Sequence, residues 1–352
     1  MNPNNQNEIP VIEPVKKPMN FYKHLRITAD KPEVIPDAVV KIHGIPVCTR
    51  KNLTLLSGAS KSGKTAITSV ICAGAISFSG LDGSAAIEVS PNVDSLAIIH
   101  IDTEQSRYHH YRNFKYAVLK RAGLATDPAY YYSYNLRQLP QAEYERFLDS
   151  LFETAHEING GIHLAVIDGV ADFIPSVNDE VEANRLTNYL EQLAIKYDTT
   201  IILVLHVNPG SEKERGHLGS HLLRKCESVL TIKKEGDISA LEAKLLRGGA
   251  VSQFTPVYYQ FDDYKGYHVF MDAGDSVARK RALRELAEKV FTNALTSVKA
   301  LKKIEELEKC VERTAKRRLK DMLEVGVIER QELDNGVYYQ LPQSPVDDKT
   351  PF

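Results

Sequence analysis

From residue 53 onward, short apolar runs alternate with longer stretches whose apolar residues recur at helical spacing. Leu53–Ser57 is an apolar run closed by Gly58 and predicts a buried strand. Lys64–Phe78, small and apolar with no proline, predicts a helix. Ser95–Ile101 (SLAIIHI) predicts a second buried strand, and Gln105–Ala122 a charged, aromatic, amphipathic helix. In Glu143–Ile158, Phe147, Leu148, Leu151 and Phe152 fall on one helical face. His163–Ile167 (HLAVI) predicts a third strand, Val181–Tyr197 a helix and Thr200–Leu205 (TIILVL) a fourth strand. Strands that are apolar on both faces and alternate with helices predict a parallel sheet covered on both sides. After Ser228 the rhythm changes. Val229–Lys233, Leu241–Leu246, Val257–Phe261 and Tyr267–Phe270 read as short strands joined by tight loops, antiparallel additions to the same sheet. Met271–Ser276 reads as a polar linker.

Beyond the linker the pattern predicts three helices, Arg281–Phe291, Val298–Leu307 and Val311–Leu323, the last stopped by Gly326. Val327–Leu333 and Val337–Leu341 flank Asp334-Asn335-Gly336, a tight-turn signal for a hairpin. Helices followed by a hairpin resemble the winged helix, a helix-turn-helix variant. Charge sharpens this division. The chain is nearly neutral, with 44 Lys+Arg against 46 Asp+Glu, yet Arg279–Lys320 holds 14 Lys+Arg and 6 Asp+Glu, a local +8, which leaves −10 elsewhere. The organisation expected is a disordered tail over 1–20, a larger α/β domain over 21–272, a small winged-helix domain over 279–343 and a loose tail over 344–352.

Composition adds limits. With 352 residues, 43% apolar and 26% charged, the chain has the make-up of a folded protein of about two domains. Cys48, Cys72, Cys226 and Cys310 are widely spaced and form no CxxC pair, so neither a zinc site nor a disulfide framework is expected. Met1–Asn20 has no apolar core of a secretory signal, and Ala66–Phe78 is too short and interrupted to span a bilayer. A reduced, cytoplasmic protein without membrane partners is the expectation.

The chemistry begins at Gly58-Ala59-Ser60-Lys61-Ser62-Gly63-Lys64-Thr65, a full G-x-x-x-x-G-K-[ST] P-loop. Glycines let successive amides turn inward on a polyphosphate, and the following helix adds its positive end. Lys64 is expected at the β- and γ-phosphates and the Thr65 hydroxyl on Mg²⁺. Asp168, at the tip of HLAVID, is expected to hold the same ion. Ser95–Ile101 runs into Asp102-Thr103-Glu104. A carboxylate there would orient the attacking water, with Glu104 the first choice and Asp102 the alternative. His206, at the tip of the fourth strand, would touch the γ-phosphate and report its loss.

GASKSGKT, IIHIDTEQ, LAVIDGVADF and LVLHVNPGSEKERGHLGS, in that order, resemble the RecA-like P-loop NTPase core. More narrowly, the chain resembles the RepA-type hexameric helicases of plasmids and related ATPases of mobile elements, in the AAA_25 group, over residues 40–270. The resemblance implies ATP and Mg²⁺ as cofactors, hydrolysis of ATP and a ring-shaped homo-oligomer, a hexamer. It implies a channel loop at Asn208–Ser220 touching single-stranded DNA through Lys213 and Arg215. That loop would close on a turn at Gly216-His217-Leu218-Gly219-Ser220, with His217 or Leu218 where the family carries a basic residue. It also implies a basic residue inserted into the neighbouring subunit's site. Lys244 and Arg247 are the candidates; the family spacing is i and i+2 and here it is i and i+3, so at most one is aligned, and Arg247 is favoured. The winged-helix resemblance implies duplex DNA at Arg313, Lys316, Arg317 and Lys320. The function implied is a DNA-associated motor in replication or mobilisation of a plasmid, phage or integrated element. The alternative is an ATP-gated winged-helix regulator that hydrolyses slowly and unwinds nothing.

Overall fold

The computed structural model describes residues 25–30, 33, 35–77, 86–208, 214–271, 273–333 and 336–342. The expected tails over 1–20 and 344–352 lie outside them. Met1–Pro36 and Asp37–Phe352 are separate units, and the strands among the described residues lie in the second. It opens with β1 (Ala38–Ile42) and β2 (Ile45–Thr49), an antiparallel pair. After β3 (Leu53–Gly58) and helix α1 (Lys64–Ile76), β4 (Ile87–Val89) pairs with β1 to make a small sheet.

The main sheet has nine strands. Its parallel part is built from β3, β5 (Ala97–Asp102), β6 (Tyr131–Asn135), β7 (Ile162–Asp168), β8 (Thr200–His206) and β9 (Ser228–Glu235). The antiparallel strands β10 (Ile238–Leu246), β11 (Val257–Asp262) and β12 (Tyr267–Met271) extend it, in the order β12-β11-β10-β9-β3-β8-β7-β5-β6. Thus the expected α/β fold holds, a large and mostly parallel sheet flanked by helices, with one change: β9 runs parallel to β3.

Two apolar clusters explain the uniformly apolar strands. Leu56, Val166, Ile202 and Val204 face α1 on one side. Leu55, Ile99, Ile167, Leu203 and Leu205 face α3 (Tyr144–Asn159), α4 (Glu180–Lys196) and α5 (Gly216–Lys225) on the other. A strand covered on both faces cannot alternate apolar with polar residues. The Gln105–Ala122 prediction resolves into α2 (Arg107–Asn113) continued by a π-helix over Phe114–Lys120.

Two local readings are corrected. Gly216–Ser220 is not a turn but the first half of α5, because Leu218 and Leu222 bury into the second cluster. Nor is 273–276 a linker, since α6 (Ala273–Val290) begins there. It leads through β13 (Leu295–Thr296) to α7 (Ser297–Glu308), α8 (Glu312–Glu324) and the hairpin β14 (Glu329–Leu333) and β15 (Gly336–Gln340). β13 pairs with β15 to complete a three-stranded sheet over a third apolar cluster. Among the described residues, no helix is long and apolar enough to cross a membrane.

Candidate active site

The C-terminal ends of the parallel strands converge. Gly58 lies opposite His206 in the ladder, and Asp102 opposite Asp168. Strand register alone therefore gathers the P-loop, both acids and the histidine at one edge.

The loop is braced from the antiparallel side. Ser239 Oγ donates to the Ser62 carbonyl at 2.7 Å, and the buried Tyr259 hydroxyl donates to the Gly63 carbonyl at 3.2 Å. Gly63 has φ 103°, and a Cβ there would lie 3.0 Å from the Tyr259 ring, so both torsion and space require glycine. Gly63 gives α1 no side-chain cap, whereas α4 is capped by Asp179. The first turn of α1 also lacks an acid, which leaves that positive end suited to an anion. Ser239 and Tyr259 lie outside any motif, and no local signal announces them.

Lys64 is buried. Its ammonium donates to the Gly58 carbonyl at 3.0 Å, to the Ala59 carbonyl at 2.8 Å and to His206 Nδ1 at 3.0 Å. An ammonium can only donate, so Nδ1 accepts and Nε2–H donates to Glu104 Oε2 at 2.8 Å. Lys64, His206 and Glu104 thus form one line across the site. Burial lowers the Lys64 pKa to about 8, against the pull of Asp168 and Glu104.

Thr65 Oγ1 donates to Asp168 Oδ2 at 3.1 Å. Asp168 is buried, and burial together with the charges of Asp102 and Glu104 raises its pKa to about 7. A divalent cation would relieve that strain. No group of three or more His, Cys, Asp or Glu side chains suited to a metal occurs among the described residues. A hydroxyl and one carboxylate are oxygen donors of the kind Mg²⁺ takes from a protein that binds it together with a phosphorylated substrate. The buried Ser62 Oγ has no hydrogen-bond partner in the protein, a polar atom the P-loop leaves available for a ligand. The residues present fit Mg²⁺ and a nucleoside triphosphate, and a pocket of about 520 Å³ runs beside them.

The two candidate bases now separate. Asp102 is fully buried and committed: Oδ1 accepts the Glu104 and Gln105 amides at 3.0 and 2.8 Å, and Oδ2 accepts from His110 Nδ1 at 3.1 Å. Burial alone would raise its pKa, yet those hydrogen bonds hold it below the ordinary carboxylate value. Asp102 shapes the turn that presents Glu104. Glu104 is the acid that reaches the pocket.

Other expected residues lie apart. Arg247 follows β10, whose Leu246 pairs with Ser228, and Ser228 lies opposite Thr54, the end of β3 away from Gly58. It does not line its own chain's pocket, and its guanidinium donates to the Arg224 carbonyl at 3.0 Å. The register of β10 slips between Ala243 and Leu245, a bulge at Lys244. Leu245 packs in the second cluster, as Arg247 reaches α5, while Ala243 and Leu246 pack in the first. One inserted residue therefore gives the i, i+3 pair Lys244 and Arg247 a common face. Lys244 is held by Glu214, both carboxylate oxygens at 2.8 Å. Glu214 is buried and also accepts from Ser57 Oγ at 3.3 Å, tying the end of the 208–214 segment to the strand before the P-loop. The sequence reading missed it, since Lys213 and Arg215 drew attention as the charged pair. Arg215 is exposed, and Lys213 lies outside the described residues.

On α8, Arg313, Lys316, Arg317 and Lys320 are exposed. Lys316 pairs with Glu312 at 2.7 Å and Lys320 with Glu324 at 3.4 Å. Arg317 turns toward the main domain, 3.7 Å from both Asp237 and Asp263.

A family model for the AAA domain, AAA_25, matches residues 30–212, a span that holds the P-loop, Glu104, Asp168 and His206. No curated protein matches the chain.

Proposed function

The chain belongs to the AAA_25 family of AAA domains, a P-loop ATPase family, and from that premise we propose a DNA-associated motor that works as a ring of identical subunits. The observation that carries the reading is the continuous line Lys64–His206–Glu104 beside the Thr65–Asp168 pair. In it, Glu104 orients a water for in-line attack on the γ-phosphate of ATP. Lys64 exchanges the two loop carbonyls for the β- and γ-phosphates and offsets charge developing in the transition state. His206 touches Lys64 and Glu104 together, so loss of the γ-phosphate registers at both. Thr65 and Asp168 would hold Mg²⁺, which when bound would offset negative charge on the phosphates.

Arg247, outside its own pocket and on one face with Lys244, suits a finger for a neighbouring subunit. Such a group contributes on the order of 10³–10⁵ in rate. The order helix, strand, two helices, hairpin over 273–340 supports a winged helix for duplex DNA, with a +8 segment to attract it. Single-stranded DNA would pass the segment between Asn208 and Arg215. The role proposed is unwinding or remodelling of DNA in replication or mobilisation of a mobile element. One observation favours the regulatory alternative: Arg317 is tied to Asp237 and Asp263, so α8 is coupled to the ATPase domain.

The test measures ATPase rate against protein concentration, with and without single-stranded DNA, and then mixes variants. Arg247→Ala and Lys64→Ala should each be inactive alone and regain activity when mixed, because each supplies what the other lacks. Rates independent of concentration and no recovery on mixing would exclude the shared site. A strand-displacement assay separates motor from regulator.

A further inference from the structure

The segment Gln105–Thr126 contains five Lys and Arg and no Asp or Glu, in a chain whose net charge is −2. Its inner side is accounted for. His110, Val118 and Leu119 are buried, and His109, Arg112 and Asn113 line the nucleotide pocket. The outer side is not. Tyr108, Tyr111 and Tyr116 are 68%, 53% and 39% exposed, large rings left in water beside Arg107 and Lys115.

Backbone geometry groups them. Positions 108, 111 and 115 fall on one face of a helix. The helix then widens to i→i+5 bonding from Phe114, and that register brings Tyr116 round toward Tyr111. Lys115 Nζ accordingly lies 5.8 Å from the Tyr111 ring and 5.7 Å from the Tyr116 ring. No salt bridge among the described residues involves Arg107, Arg112, Lys115 or Lys120.

We propose that this stripe binds single-stranded nucleic acid, with Tyr108, Tyr111 and Tyr116 stacking on bases and Arg107 and Lys115 meeting phosphates. The charge settles the class of partner: a polyanion is attracted by a run of cations with no acid among them. Exposed rings interleaved with those cations suit splayed bases, which duplex DNA does not offer. The same helix begins just after Glu104 and lines the pocket, so a strand held on its outer side acts on the element that places the water-orienting acid. The proposal rests on the DNA-associated reading above and adds a site to it.

Anisotropy titrations of the full chain with Mg·ATPγS would use a labelled oligo-dT of about 20 nucleotides, longer than a common single-strand site, and a labelled duplex. The triple variant Tyr108→Ala/Tyr111→Ala/Tyr116→Ala should weaken oligo-dT binding by about tenfold or more, since stacking contributes at each ring. Duplex affinity and basal ATPase should stay as in the parent. The corresponding triple Phe variant should bind like the parent, because stacking needs the ring and not the hydroxyl. Lys115→Ala should make the salt dependence less steep by about 0.7 in log–log slope. An Ala triple variant that binds oligo-dT like the parent overturns the proposal. So does a loss that sedimentation traces to dissociation of the oligomer, which would make the stripe a subunit contact. A parent that binds duplex but not oligo-dT sinks the stripe alone. One that binds neither sinks the DNA reading with it.

Discussion

The nucleotide end of the sheet and the helix α8 both concentrate charge, and they hold it in opposite ways. At the sheet edge, Lys64, Asp102 and Asp168 are buried and tied to carbonyls, amides or hydroxyls at 2.8 to 3.1 Å. On α8, Lys316 and Lys320 reach acids one turn away on the same helix and stay in water. Buried groups act through position, because low dielectric strengthens each contact and leaves no solvent to correct a misplaced one. Exposed groups act through summed charge, which salt screens and which tolerates movement. The first arrangement suits bond-breaking chemistry. The second suits attraction of a polyanion.

Substitutions should reproduce that contrast. The largest effect is expected for Glu104→Gln, which keeps an oxygen for His206 but cannot orient water as a carboxylate does. Its kcat should fall on the order of 10²–10⁴ with Mg·ATP affinity retained, read by steady-state rates and by direct nucleotide titration. Parent-like turnover would return the role to another group.

Next comes Asp102→Asn. The amide would have to donate to His110 Nδ1 in the opposite tautomer, and the charge-assisted bonds to the Glu104 and Gln105 amides would weaken, at a cost of about 1–3 kcal/mol in thermal or denaturant unfolding. Turnover should drop with it, because the Glu104 turn loosens.

A third difference lies in pH. The folded-state pKa of Asp168, about 7, stands above its ordinary value of 3.8. The folded protein therefore holds that proton more tightly than the unfolded chain. The stability it adds is complete below the ordinary carboxylate range and is lost as pH rises through 7. Without nucleotide or metal, melting temperature should decline between about pH 4 and 7, and Asp168→Asn should flatten the decline. Mg²⁺ affinity should run the other way and strengthen as the proton leaves.

The smallest effect is expected for Arg317→Ala. Its pairs with Asp237 and Asp263 are long and solvent-exposed, so unfolding stability should change by about 1 kcal/mol or less. Duplex affinity should rise if those acids hold the side chain away from DNA, and fall if Arg317 itself meets a phosphate. A large loss of stability would erase the contrast between the two regions.

What the sequence disclosed follows the same division. The P-loop was legible because its backbone admits only glycine at Gly63, and the strand tips because four strands buried on both faces, β3, β5, β7 and β8, must read as apolar runs. Glu104 and Asp102 could not be ranked without seeing which oxygens were already engaged. Helix α5 looked like a turn because the family it resembles carries a Gly-Ser turn after the fourth strand, and Gly219-Ser220 matches it. Gly219 is there for packing, since a Cβ would fall 2.5 Å from the Glu214 side chain. The edge strand β6 (YYSYN) carried no apolar run, and its Tyr131 is fixed instead by stacking on Phe114 at 5.1 Å. The direction of β9 depends on where α5 returns the chain, which no local pattern records. Ser239, Tyr259 and Glu214 support the loop from distant segments and belong to no motif.

The central claim is that a glycine-shaped pocket ahead of Lys64 grips a triphosphate with magnesium. Calorimetric titration of Mg·ATP into the purified chain and its Lys64→Ala variant tests it most directly. One saturable site in the parent, weakened by about tenfold or more in the variant, is the expected result. No binding by the folded parent, or equal binding by both, would contradict the account.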